Sequence, residues 1–132
     1  MSTETTASVS THILDTSIGR PAGGVAISLA ARAGSGAAWV ALGGSATDAD
    51  GRCKDLPALP EGTTHVRLDF ETEAYFDKKQ ADAQQDAPAN RDSVTTGAFF
   101  PEVAITFAVT PGEHYHVPLL LNPFGYSVYR GS

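Results

Sequence analysis

The chain has 132 residues, a formal net charge of −6 and a single cysteine. At that length one domain buries roughly 65–70% of the surface of the unfolded chain, so no disulfide scaffold is needed, and Cys53 has no partner in the chain with which to make one. The acidic balance argues against a general binder of nucleic acid or of anionic membranes, because both need a basic surface.

The opening residues carry no basic segment followed by an apolar run, and no stretch approaches a membrane span. With no sign of oxidising surroundings either, the expectation is a cytoplasmic protein. Residues 1–8 are small and polar and are expected to be disordered, leaving one domain over 9–132. From Val9 the chain alternates: Val9, Thr11 and Ile13 make one list, Ser10, His12 and Leu14 the other. Strand side chains point to opposite faces in turn, so this predicts a strand that ends near Asp15 and sets His12 beside Leu14. The turn-rich Gly19-Arg-Pro-Ala-Gly-Gly24 leads into a strand with Val25, Ile27 and Leu29 inward.

Trp39 to Thr47 reads as the next strand, with a bend or bulge at Gly43-Gly44. Asp48-Ala-Asp-Gly51 is a turn with Arg52 directly behind it. It resembles part of a calcium loop but lacks the later ligands and the closing glutamate. His65 to Phe70 alternates with Val66, Leu68 and Phe70 inward; each such side chain contributes about 1.5–3 kcal/mol when fully buried. Thr72 to Gln80 is the one good helix candidate, with Thr72 as its N-cap. The polar stretch that follows can extend this helix as far as Pro88, but its few apolar residues are mostly alanines, so 80–96 is read in preference as a loop. Val103, Ile105, Phe107 and Val109 share a face of the following strand, and Pro111-Gly112 turns the chain into a final hairpin.

That hairpin runs from His114 to Ser132 through the turn Asn122-Pro-Phe-Gly125. Tyr115, Val117, Leu119 and Leu121 form a core face, whereas His114, His116, Pro118 and Leu120 mix titratable and apolar groups. Antiparallel sheets carry polar residues on a wet side, so the mixed face is expected to be covered by another subunit. Short alternating strands, frequent turns and one helix predict an all-β sandwich.

His114-Tyr-His-Val-Pro-Leu-Leu-Leu121 and the terminal Tyr129-Arg-Gly-Ser132 resemble the 5-hydroxyisourate hydrolase family, the transthyretin-like enzymes of urate breakdown. Thr11-His-Ile-Leu-Asp-Thr16, Gly19-Arg-Pro-Ala22, Asp50-Gly-Arg52 and Phe99-Phe-Pro-Glu-Val103 continue the likeness in the family's order. It covers most of the chain except the extreme N-terminus and the 80–96 stretch, which is extra relative to the family. The resemblance implies a transthyretin-like antiparallel β-sandwich with one short helix, assembled as a homotetramer. It also implies hydrolysis of 5-hydroxyisourate to 2-oxo-4-hydroxy-4-carboxy-5-ureidoimidazoline, with no cofactor and no metal.

By that resemblance the active-site groups are His12, Arg52 and His116. A neutral imidazole is available near neutral pH to take a proton from water, since histidine's ordinary pKa is about 6.5. His116 is assigned as the base, His12 orients water or shares the proton, and the Arg52 fork clamps the oxygen-rich substrate. Tyr129 and Ser132 are expected beside the substrate, with Arg130 paired to an acidic residue. His114 is expected at the rim, outside the reach of a small substrate; His65 is structural and Cys53 a small buried group. His12, His114 and His116 permit a zinc reading, but no carboxylate or cysteine pair completes a site. The competing functional readings are a noncatalytic transthyretin-like carrier, which would not need His12, Arg52 and His116 together, and an extracellular interaction sandwich, which would be expected to carry a secretory signal.

Overall fold

A computed structural model describes residues 6–83 and 98–131. In chain order the elements are β1 (Ser8–Asp15), β2 (Arg20–Pro21), β3 (Ala26–Arg32), β4 (Val40–Ala46), β5 (Arg52–Cys53), β6 (His65–Phe70), α1 (Thr72–Ala83), β7 (Val103–Ala108), β8 (His114–Asn122) and β9 (Gly125–Val128). They form two sheets: β2-β1-β8-β9, with β5 also paired to β1, and β4-β3-β6-β7. The inward lists meet between them. Ile13, Val25, Leu29, Leu68, Phe70 and Leu119 are buried in one continuous apolar cluster, as two alternating faces require of a sandwich. Among the described residues no helix is long and apolar enough to cross a membrane.

One pairing departs from the antiparallel expectation. β1 and β8 run parallel, from Ser8 opposite His114 to Asp15 opposite Leu121. Parallel neighbours need a long connection, and here the whole second sheet and α1 lie between them in sequence. β1 also begins earlier than expected: Ala7 is buried and the Ser8 amide donates to the Glu113 carbonyl at 3.0 Å. The expected disorder of 1–5 lies outside the described residues. The bulge at the glycine pair is present, since Leu29 faces Gly43 but Ala30 faces Ala41, and Gly43 has φ 137°.

The helix also differs from its reading. It reaches Ala83, so residues 80–83 are helical and not loop, and the remainder of the 80–96 stretch lies outside the described residues. Thr72 is the first helical residue, and its hydroxyl donates to the Phe100 carbonyl at 2.5 Å without capping an amide. The Glu73 amide instead finds the Pro101 carbonyl at 2.9 Å, one of the partners a helix start must find outside itself. Phe76 is buried in the core, and Tyr75 and Lys79 reach the buried carboxylate of Asp15 at 2.7 and 3.0 Å. This ties α1 to the far end of β1, the strand that carries His12.

Candidate active site

Register alone assembles the site on the outer face of the first sheet. Arg52 stands opposite His12 on β1, and His12 stands opposite Pro118 on β8. The β8–β9 register continues to a bridge between His116 and Gly131, which sets Tyr129 opposite Pro118. One row across the sheet is therefore Arg52, His12, Pro118, Tyr129. The next row is Ser10, His116, Gly131, and the outermost is Ser8, His114. Opposite residues share a face, so both imidazoles and the guanidinium lie on one surface. A cleft of about 280 Å³ opens there, lined by Ser10, Thr11, Arg52, Lys54, His114 and His116.

The turn before β5 fixes where Arg52 stands. The Asp48 carboxylate accepts from the amides of Asp50 and Arg52 at 2.9 and 3.0 Å. The Arg52 amide above all, with the Asp50 amide and the charges of Lys54 and Arg52, holds Asp48 below the usual carboxylate range. Gly51 has φ 75°, and a Cβ there would run into the Ile13 carbonyl oxygen. Only glycine meets both demands. The same turn orients His12: its Nε2 lies 3.0 Å from the Asp50 carbonyl, which can only accept, so Nε2–H donates and a neutral ring keeps its lone pair at Nδ1.

His116 is held the other way round. Its Nδ1 is 2.9 Å from the Ser10 hydroxyl, which leaves Nε2 for chemistry. Burial, followed by the like charges of His12, His114 and Arg52, lowers its pKa from the ordinary 6.5. The ring is therefore kept neutral to lower pH than a free histidine would be.

The C-terminal residues pack directly against this imidazole. The Gly131 amide donates to the His116 carbonyl at 2.7 Å, and a Cβ on Gly131 would sit 3.0 Å from the His116 ring and 3.2 Å from Pro118. The glycine of the terminal motif is thus a matter of room beside the ring. Arg130 points to the opposite face, stacked 4.4 Å over Tyr115 and paired with Glu113 at 3.3 Å, the acidic partner expected of it. Tyr129 is exposed at the end of its row. Ser132 lies outside the described residues. Another hollow, about 270 Å³, lies on the Tyr115 side; it is lined by apolar groups with Tyr129 and Arg130 and contains no imidazole, so Tyr129 lines this hollow and not the histidine cleft.

One expectation changes. Pro118 is buried within the single chain, flanked by His12 and Gly131, so of the mixed face only Leu14, Leu120 and the histidines keep exposed surface. His114, expected at the rim, is exposed in the outermost row, where its Nδ1 meets Ser8 at 2.7 Å and its Nε2 meets Ser10 at 2.9 Å. Lys54 and Ser10 were readable, because alternation puts them in the lists of Arg52 and His12. The serine–histidine contacts were not, because they join chain ends 104 to 106 residues apart. Cys53 is buried, and burial pushes its thiol pKa up.

Residues 9–131 match the family described as HIUase/Transthyretin. The chain is 40% identical over 126 residues to the 5-hydroxyisourate hydrolase of Salmonella typhimurium, covering 94% of this chain and 80% of that protein. The solved structure of Klebsiella pneumoniae 5-hydroxyisourate hydrolase superposes with a TM-score of 0.69 at 34% identity, covering 94% of this chain and 98% of that one. Sea bream transthyretin in complex with thyroxine superposes with a TM-score of 0.72 at 26% identity, over 93% of each chain. A likeness that spans nearly the whole domain and includes every strand of the cleft settles the relationship: the chain belongs to the HIUase/Transthyretin family.

Proposed function

We propose that this chain hydrolyses 5-hydroxyisourate, opening the ring with water to give 2-oxo-4-hydroxy-4-carboxy-5-ureidoimidazoline in urate breakdown. The observation that carries the reading is the sheet face shared by Arg52, His12 and His116, with Arg52 and His116 lining the cleft on it and His116 offering a free Nε2 with a lowered pKa. His116 takes the proton from water through Nε2. His12, anchored by Nε2–H to the Asp50 carbonyl, presents Nδ1 to water or substrate. Arg52 and Lys54 line the cleft with positive charge, suited to the oxygens of the ring and to the charge that grows on the attacked carbonyl. Tyr129 and Ser132 are assigned to substrate binding on the family resemblance of the Tyr129-Arg-Gly-Ser132 motif. No step in this scheme calls for a metal or cofactor.

The assembly is a homotetramer in the cytoplasm, with the cleft closed by neighbouring subunits. Leu14 and Leu120 on the histidine face, and the exposed aromatics Phe99, Phe124 and Tyr126, support burial against other copies. The carrier reading gains nothing beyond the shared fold. Decay of freshly generated 5-hydroxyisourate, followed in the ultraviolet against a no-enzyme control, tests the activity. Wild-type protein accelerates the decay and Arg52→Glu protein of the same assembly does not; equal turnover by the two would reject the role of Arg52.

A further inference from the structure

A line of hydrogen bonds leaves the cleft floor and ends in solvent. His116 Nδ1 lies 2.9 Å from Ser10 Oγ, the same oxygen lies 2.9 Å from His114 Nε2, and His114 Nδ1 lies 2.7 Å from Ser8 Oγ. Ser10 is only 8% exposed, whereas Ser8 and His114 are open to water. The Ser10 hydroxyl has one hydrogen, so it donates to one ring and accepts from the other. The four groups therefore have a single polarity at any moment. If His116 has its lone pair at Nε2, its Nδ1–H donates to Ser10, Ser10 donates to His114 Nε2, and His114 Nδ1–H donates to Ser8.

The reaction gives this line something to carry. Water loses a proton as it attacks, the leaving ring nitrogen must gain one, and a single imidazole serving both steps would pass through a cation. That cation is disfavoured here. Among the described residues, the charged and titratable groups on this face with His116 and His114 are His12 on β1 and Arg52 and Lys54 at β5, while Glu113 before β8 is engaged by Arg130 on the other face. None of these described neighbours on the histidine face is a carboxylate that could pair with the charge.

We propose that Ser10, His114 and Ser8 form a proton relay between His116 and solvent, which lets His116 act first as base and then as acid while staying neutral. The inference rests on His116 being the base in 5-hydroxyisourate hydrolysis. In the first step a water O–H breaks and His116 Nε2–H forms, as Nδ1–H passes to Ser10, the Ser10 proton to His114 Nε2, the His114 Nδ1 proton to Ser8, and the Ser8 proton to bulk water. Both rings end neutral as the other tautomer. In the second step Nε2–H goes to the leaving nitrogen and one proton returns along the line, restoring the first polarity. Ser10 and His114 are thus positioning residues that act through His116.

Ser10→Ala cuts the line without changing the bulk of the strand. Its kcat is expected to fall about 10- to 100-fold, a share of the 10²–10⁴-fold that acid–base catalysis supplies, with KM little changed. Added imidazole buffer should restore the rate in proportion to its concentration, and Ser10→Thr, which keeps the hydroxyl, should retain it. Nitrogen NMR of the histidines, which needs no turnover, should find His116 neutral with the proton on Nδ1 in wild type and its tautomer balance changed in Ser10→Ala. Wild-type turnover with an unaltered kcat and pH profile in Ser10→Ala, or a loss that neither buffer nor threonine repairs, would overturn the relay alone. Absence of turnover in the wild type would reject the hydrolase reading and the relay with it.

Discussion

At the scale of single residues, chemistry here depends on which nitrogen each ring leaves free. His12 spends Nε2 on the Asp50 carbonyl, and His116 spends Nδ1 on Ser10. Burial, then the charges of His12, His114 and Arg52, sets the folded pKa of His116 below 6.5. A base works deprotonated, so activity should persist as pH falls through 6.5 and be lost only lower; kcat/KM measured across pH checks this, and an acid limb above 6.5 would contradict it. Gly51→Ala should displace β5 from β1 and with it Arg52, because the new Cβ meets the Ile13 carbonyl in a backbone conformation that disfavours side chains. The expected result is a rise in KM together with about 1–3 kcal/mol of lost stability, read from urea unfolding. His12, Arg52 and His116 were legible as candidates from their motifs and their alternation. Ser10 and Lys54 share their faces and could have been read by the same rule. The link from His114 to Ser10 could not, because it exists only once the two ends of the chain lie in register.

At the scale of elements, alternation was a sufficient guide to nearly every strand, since Val66, Leu68 and Phe70 or Tyr115, Val117 and Leu119 have only one way to bury three side chains on one face. Alternation says nothing about which strands become neighbours, and so the parallel β1–β8 pair was not legible. The end of α1 was obscure for another reason. Its anchors are Phe76 in the core and Tyr75 and Lys79 on Asp15, and the partner of the last two sits some sixty residues earlier in the chain. Burial pushes the Asp15 pKa up, but hydrogen bonds from Ser17, Tyr75 and Lys79 outweigh it and leave the folded value below 3.8. A depressed carboxylate pKa adds stability that is present above the unfolded value and is lost as pH falls through the folded one. Asp15→Asn should therefore lower stability at neutral pH by about 1.5–3 kcal/mol, the range for hydrogen bonds to a charged group. It should also flatten the loss of stability below pH 3.8. Thermal melts of both proteins at neutral and acid pH decide the matter, and equal Tm values at neutral pH would show that Asp15 does not hold the helix.

At the scale of the whole molecule, the two sheets leave one question for association: what covers the histidine face. Pro118 is buried by its own chain, so the case for neighbouring copies rests on Leu14, Leu120 and the exposed aromatics near the final hairpin. Leu120→Asp should yield smaller particles in sedimentation velocity and lose turnover with them, whereas an intact tetramer would place the contact elsewhere. The proposed hydrolysis depends above all on His116 as the group that activates water. Its most direct measurement is the initial rate of 5-hydroxyisourate loss for wild-type and His116→Asn proteins of matched fold and assembly. A fall of about 10²–10⁴-fold in kcat on losing the imidazole is the predicted result; the same rate in both proteins would contradict it.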